Sequence, residues 1–326
     1  MVSEERTISY ADAVAEALAY AMGEDERVWV LGEDVAEGGA YGATQGLREM
    51  FGPQRVRNTP ISESAIVGFS VGAAMTGTRP VPEIMHMDFI ACAMDQVVNQ
   101  MAKMRYMVSG KTSVPVTVRC GVGGWLNAAA QHSQSLESWF IHVPGLKVAA
   151  AAEPSDVKGV LLAAVRDDNP VIVLESLALY PSKGPVPAEP FERPVGSSVR
   201  KRSGHDVTII TWGGAVPRVL EATDRLREQG VSADVIDLLW LQPFDRDTVL
   251  ASVSRTHRAV IVHQAYRRVG FGAELVAFLN EEAFDYLDAP VRRVAGLDVP
   301  VPFAPSLEDY VLPSVDRIES IVRDLD

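Results

Sequence analysis

The chain has 326 residues, 47% hydrophobic and 22% charged, the make-up of a globular protein with room for about two domains. Its formal charge of -13 argues against nucleic acid or anionic membrane as a partner. Only Cys92 and Cys120 are present, each in an apolar segment without metal-ligand spacing, so they read as buried thiols in a reducing cytoplasm.

The opening MVSEERTISY has no apolar core behind its charges and is not a secretory signal. From Ser9 to Met22 the residues Val14, Ala17, Leu18 and Ala21 recur at helical spacing, with Ser9 and Asp12 as a capping box and Gly23 ending the run. Val28 to Leu31 reads as a strand, and glycines 38, 39 and 42 mark a loop. At NTPISESAIVGFSVGAAMTG, Thr59 and Pro60 hold an extended entry and Ser62 is placed to cap the helix that follows. Glu63 falls in its first turn, and Gly68 and Gly72 offer one face to a close neighbour. Val81 to Met85 is the next strand, leading to a helix from about Phe89 to Met107. That stretch carries Asp95, Lys103 and Arg105, which lipid would not tolerate, so the protein should be soluble.

Val114 to Cys120, Val148 to Ala152 and Val171 to Leu174 are continuous apolar runs, separated by helical patterns at Ser135 to Ile141 and Asp156 to Arg166. Runs buried on both faces imply an α/β fold with a mainly parallel sheet. From Ser176 to Ser203 the periodicity disappears among five prolines and reads as a crossing linker. A second alternation follows: strands at Val207 to Thr211, Ala233 to Asp237, Ala259 to Val262 and Val291 to Val294, with helices at Val216 to Glu228, Asp245 to Ser254 and Phe271 to Phe284. The tail is irregular until a last helix from Val315 to Asp324. The organisation is thus a first α/β domain over 1–185, a linker over 186–203 and a smaller α/β domain over 204–326.

The sequence has no GxxxxGK[ST], no GxSxG and no paired cysteines, which argues against a nucleotide kinase, a serine hydrolase and a zinc enzyme. On position alone Glu63 is a solvated first-turn acid and His132, in Gln131-His132-Ser133-Gln134, a capped structural residue. His86 and His142 are left structural. Ile61 and Phe89 by themselves are ordinary core residues.

Longer motifs change this reading. TPISESAIVG, preceded by GEDVAEGGAYGATQGL and followed by RPVPEIMHMDFIACAMDQVVNQMAKMRYMVSGK, AAAQHSQSLESWFIHVPGLKV and AVRDDNPVIVLES, resembles the β subunit of the thiamine-diphosphate-dependent 2-oxo acid dehydrogenases across essentially the whole chain. These subunits belong to the first components of the pyruvate, branched-chain and acetoin dehydrogenase complexes. The resemblance implies a pyrimidine-binding domain followed by a transketolase C-terminal-like domain. It makes Glu63 the carboxylate on the pyrimidine nitrogen of thiamine diphosphate, which promotes the imino form that acts as base at the thiazolium carbon. A buried carboxylate needs such a partner. Ile61 and Phe89 become the apolar wall of the cofactor site, and His132 assists proton transfer when a lipoyl disulfide is acylated.

The resemblance also implies a possible potassium ion on the backbone carbonyls of Val116, Ala164, Asp167 and Asn169, residues that a helix C-terminus closed by a polar turn explains nearly as well. The family holds magnesium and diphosphate through a GDG motif, and this chain contains no Gly-Asp dipeptide. An α subunit is therefore expected to hold the magnesium in an α2β2 tetramer, with a lipoyl acyltransferase as the further partner. Pyruvate is the first expected substrate and a branched-chain 2-oxo acid the second. Acetoin cleavage, a split transketolase half and a non-catalytic docking subunit are the alternatives; Glu63, Phe89 and His132 together speak against the last. The segment 263–275 departs from the family, where acidic residues often stand at its start.

Overall fold

The computed structural model describes residues 5–325, so the first four residues of the opening stretch read as lacking a signal lie outside it. A seven-stranded sheet runs in the spatial order Trp240–Gln242, Lys147–Ala149, Val171–Ser176, Thr117–Val122, Arg79–Ile84, Val28–Gly32, Val56–Asn58. All neighbours are parallel except the first pair. Strand residues alternate between two cores. Val171 and Val173 face the helices Tyr10–Glu24 and Pro154–Arg166, whereas Ile172 and Leu174 face the helix Glu63–Met75 and the chain after it. Both faces are thus buried, which is why these strands read as unbroken apolar runs.

The second sheet has five strands in the order Arg292–Gly296, Ala259–Tyr266, Val207–Thr211, Ala233–Asp237, Val199–Arg202, the last antiparallel. Helices Val216–Glu228 and Val315–Arg323 cover one face. Helices Arg246–Thr256 and Phe271–Glu282 cover the other, where Ile210, Trp212, Leu238 and Leu241 join the same core as the first sheet. No helix of the described residues is long and apolar enough to cross a membrane.

The capping box forms: the Ser9 hydroxyl accepts from the Asp12 N–H at 3.0 Å and the Asp12 carboxylate from the Ser9 N–H at 3.3 Å. Ser62 occupies the N-cap of the helix Glu63–Met75, but its side chain caps nothing. Gly68 packs on Gln96 of this chain, while Gly72 faces open space, so only Gly72 remains available to another subunit.

Other expectations fail for physical reasons. The stretch expected as one helix from Phe89 to Met107 is a 3-10 segment, a π segment at Gln96–Met101 and a short α-turn. Apolar spacing of three and four residues does not distinguish these windings. The expected linker contains the strand Lys183–Pro187, paired antiparallel with an unforeseen strand Glu5–Ser9, and the edge strand Val199–Arg202. Prolines 185 and 187 are tolerated there because a two-stranded ribbon leaves outward N–H positions unused. The tail expected to be irregular holds a helix at Pro305–Val311.

The atypical segment 263–275 packs His263 face to face on Trp212 at 5.0 Å. Within the same segment, Val269 is 80% exposed with a φ of 56°. A β-branched residue is an outlier in the left-handed region, where a Cβ costs about 1–2 kcal/mol. Val269→Gly is expected to raise stability by about 1 kcal/mol after the entropic penalty of glycine. Chemical denaturation measures it, and an unchanged or lower midpoint would refute the strain.

Candidate functional site at the carboxyl ends of the parallel strands

Open parallel sheets bind ligands beyond the carboxyl ends of their strands. Here that edge gathers most of the singled-out residues. Glu33 follows the strand Val28–Gly32, Ile61 and Glu63 follow Val56–Asn58, His86 and Phe89 follow Arg79–Ile84, and His132 lies on the loop after Thr117–Val122.

Two groupings appear. The first is acidic: Glu63 begins its helix, half-buried, with no hydrogen bond or ion pair to the described residues. Burial pushes the Glu33 carboxyl up, and the neighbouring carboxylates of Glu63, Asp34 and Glu83 push it further. Ile61, beside Glu63 in sequence, is 81% exposed, far from an ordinary core residue. The second grouping is aromatic. The His132 ring stands perpendicular to His86 at 4.8 Å and to Phe89 at 5.4 Å. The Tyr41 hydroxyl lies 2.9 Å from His86 Nε2. Burial, then the proximity of His132, lowers the His86 pKa, so its neutral ring can accept that hydrogen bond.

A buried ion cluster supports this edge from below. Arg119 donates to both oxygens of Glu175 at 2.8 and 2.7 Å and also to Glu83. The Tyr180 hydroxyl donates to Glu175 at 2.6 Å, and its ring meets Tyr41 at 5.6 Å. Burial pushes the Tyr180 hydroxyl well up, reinforced by Glu175. Burial likewise raises Glu83 against the opposing pull of Arg119.

The carbonyls singled out for a cation lie at the opposite end of the sheet. Val116 accepts from the Val171 N–H at 3.0 Å, and Ala164 from the Thr117 hydroxyl at 3.1 Å. The Arg79 guanidinium donates to the Asp167 carbonyl at 3.0 Å, and Arg105 to the Asn169 side chain at 2.6 Å. Among the described residues no three His, Cys, Asp or Glu side chains gather as metal ligands.

Comparison with known proteins identifies the family. Residues 6–183 match the transketolase pyrimidine-binding domain and residues 196–318 the transketolase C-terminal domain. The chain is 44% identical to a pyruvate dehydrogenase E1 component β subunit of Rickettsia felis, over 97% of this chain and 98% of that protein. It is 43% identical to the β subunit of an acetoin:2,6-dichlorophenolindophenol oxidoreductase of Bacillus subtilis, over 98% and 97%. A 2-oxoisovalerate dehydrogenase β subunit of the same bacterium is 41% identical over 98% of both. The chain belongs to this family of E1 β subunits. A split-gene transketolase described as an inactive β4 tetramer shares the fold, with a TM-score of 0.80, 21% identity and coverage of 98% of both chains.

Within this E1 β fold, Tyr41 and Glu33 stand at this edge although sequence reading singles out neither. His86, which the sequence reads as structural, packs on His132. Its signal was positional: it stands two residues past a strand on the side where ligands gather.

Proposed function

We propose that the chain is the β half of a thiamine-diphosphate-dependent 2-oxo acid dehydrogenase first component, acting on pyruvate first and a branched-chain 2-oxo acid second. The observation that supports this best is Glu63, a carboxylate without a hydrogen-bond or ion-pair partner among the described residues, at the carboxyl edge of the sheet. An unpaired carboxylate beside an exposed Ile61 suits a ring that is apolar in its plane faces and basic at one nitrogen. The cofactor supplies the carbanion chemistry that carboxylate and imidazole groups cannot.

In this reading Glu63 would hold the pyrimidine ring nitrogen through its carboxylate and so favour the tautomer the cofactor's chemistry needs. Ile61 and Phe89 flank the site and exclude water. His132 delivers a proton to one lipoyl sulfur as the disulfide breaks and the other sulfur takes the acyl group. The potassium proposal rests on resemblance: the Val116 and Asp167 carbonyls each accept one hydrogen bond and keep a second lone pair, whereas the Ala164 carbonyl already accepts two, from the Thr117 hydroxyl and the Asp167 N–H. No step depends on that ion. The same reading divides the chain into 1–185, 186–203 and 204–326.

With no Gly-Asp dipeptide, diphosphate and magnesium fall to an α subunit in an α2β2 assembly serving a lipoyl acyltransferase. Titration calorimetry of thiamine diphosphate and magnesium is expected to show binding to the assembled pair and little to this chain alone. Tight binding by the isolated chain would sink the two-chain reading. Acetoin cleavage is the second reading, favoured by an acetoin relative as similar over the whole chain as the pyruvate one; turnover of pyruvate, 2-oxoisovalerate and acetoin by the pair separates them.

A further inference from the structure

We infer that Glu308, far along the chain, is the positioning residue for the loop that carries His132, an inference that rests on the role proposed for that histidine. The loop leaves the sheet at Gly123 and closes at its base, where the Gly123 N–H donates to the Gln134 carbonyl at 3.2 Å. Between these points Trp125, Asn127 and Ala129 have φ values of 65°, 54° and 61°. Left-handed backbone is disfavoured for residues with a Cβ, so something outside the loop must hold it.

Glu308 supplies that hold. Its Oε1 accepts from the Trp125 N–H at 2.9 Å and the Leu126 N–H at 3.3 Å, and its Oε2 from the Asn127 N–H at 3.0 Å. Successive amides converging on one anion form a nest, and the carboxylate is 2% exposed. The approach is tight: a Cβ at Gly124 would lie 2.5 Å from Leu312 Cδ1 and 3.2 Å from Glu308 Oε1. Arg218 covers the Trp125 ring at 5.5 Å. The far leg is pinned separately, as the Gln134 side chain donates to Asp88 at 2.9 Å. His132 therefore sits between two anchors, one on the 3-10 segment that follows the strand Arg79–Ile84 and one on the C-terminal segment.

Glu308→Gln keeps the volume but turns one acceptor into a donor facing three N–H groups. In the assembled enzyme, hydrogen exchange at Trp125, Leu126 and Asn127 should quicken roughly tenfold to a hundredfold. Acylation of a lipoyl domain should fall by up to about a hundredfold through misplacement of His132, more than decarboxylation measured with an artificial electron acceptor. Glu308→Asp, which retains the charge, should recover part of both effects and carries the same comparison should the amide variant not fold. Unchanged exchange at the three amides overturns the inference. So does faster exchange with acylation and decarboxylation falling equally, when His132→Ala is selective for acylation. Should His132→Ala itself show no selectivity, the role of His132 is what fails, and the exchange result alone decides whether Glu308 holds the loop.

Discussion

Glu63→Gln should lower turnover with an artificial electron acceptor by at least about a hundredfold to ten-thousandfold while leaving the fold almost untouched. The two halves of this expectation come from one geometry. Glu63 has no partner among the described residues, so the amide breaks no internal contact. What the fold loses is a negative charge in the first turn of the helix Glu63–Met75, worth about 0.3–1 kcal/mol. On the role proposed for Glu63, what the reaction loses is an acceptor for the pyrimidine ring that would strengthen as the active tautomer forms, and such interactions act on the rate. Steady-state rates and denaturation midpoints for both proteins test it together. A rate within a fewfold of the parent would reduce Glu63 to a helix-start acid, and a large loss of stability would show that the carboxylate holds the fold instead.

The second large effect is on stability. Arg119 is 0% exposed and faces two carboxylates, Glu175 and Glu83. Arg119→Met leaves both without a counter-charge inside the sheet, which should cost about 3–5 kcal/mol. Replacing Arg119, Glu83 and Glu175 together by apolar residues of similar volume should recover part of that, because an apolar triad carries no charge to desolvate, the remainder being the Tyr180 hydroxyl left without its acceptor. Equilibrium denaturation of the single and triple variants measures both, and a single variant within about 1 kcal/mol of the parent contradicts the account. Arg119→Lys is expected to fall between the parent and the methionine variant, since an ammonium keeps the counter-charge but cannot make the paired bonds to Glu175.

The legible parts of the chain were those where one physical rule dominates. Val207–Thr211, Ala233–Asp237 and the helix Val216–Glu228 fall where apolar runs and an amphipathic stripe placed them. Burial on both faces or on one stripe leaves no competing pattern. The edge strand Val199–Arg202 was invisible because its side chains are charged, satisfied by Arg200 on Asp234 and Lys201 on Asp156. The site was legible only through long motifs. Position alone made Glu63 a helix cap charge and His132 a loop histidine, and nothing local distinguishes either from its ordinary counterpart. Contacts such as Glu308 to Trp125 and His86 to His132 join residues from different elements, and one sequence carries no record of such pairing.

The strand Trp240–Gln242 has a consequence for how the chain can be made. It pairs with Lys147–Ala149 at the margin of the first sheet, in register Trp240 to Ala149. As the ribosome releases the chain, residues up to the second half can assemble every other strand of that sheet, yet its outer margin keeps unpaired N–H and C=O groups until residue 242 emerges. An open margin of this kind is a template for pairing between molecules. A fragment ending at 185 or 203 would retain it permanently and would also lack Leu238 and Leu241 from the common core. Closing the margin joins residues far apart in sequence, the type of contact that slows folding. Splitting the gene between its two halves would therefore yield a sticky first piece.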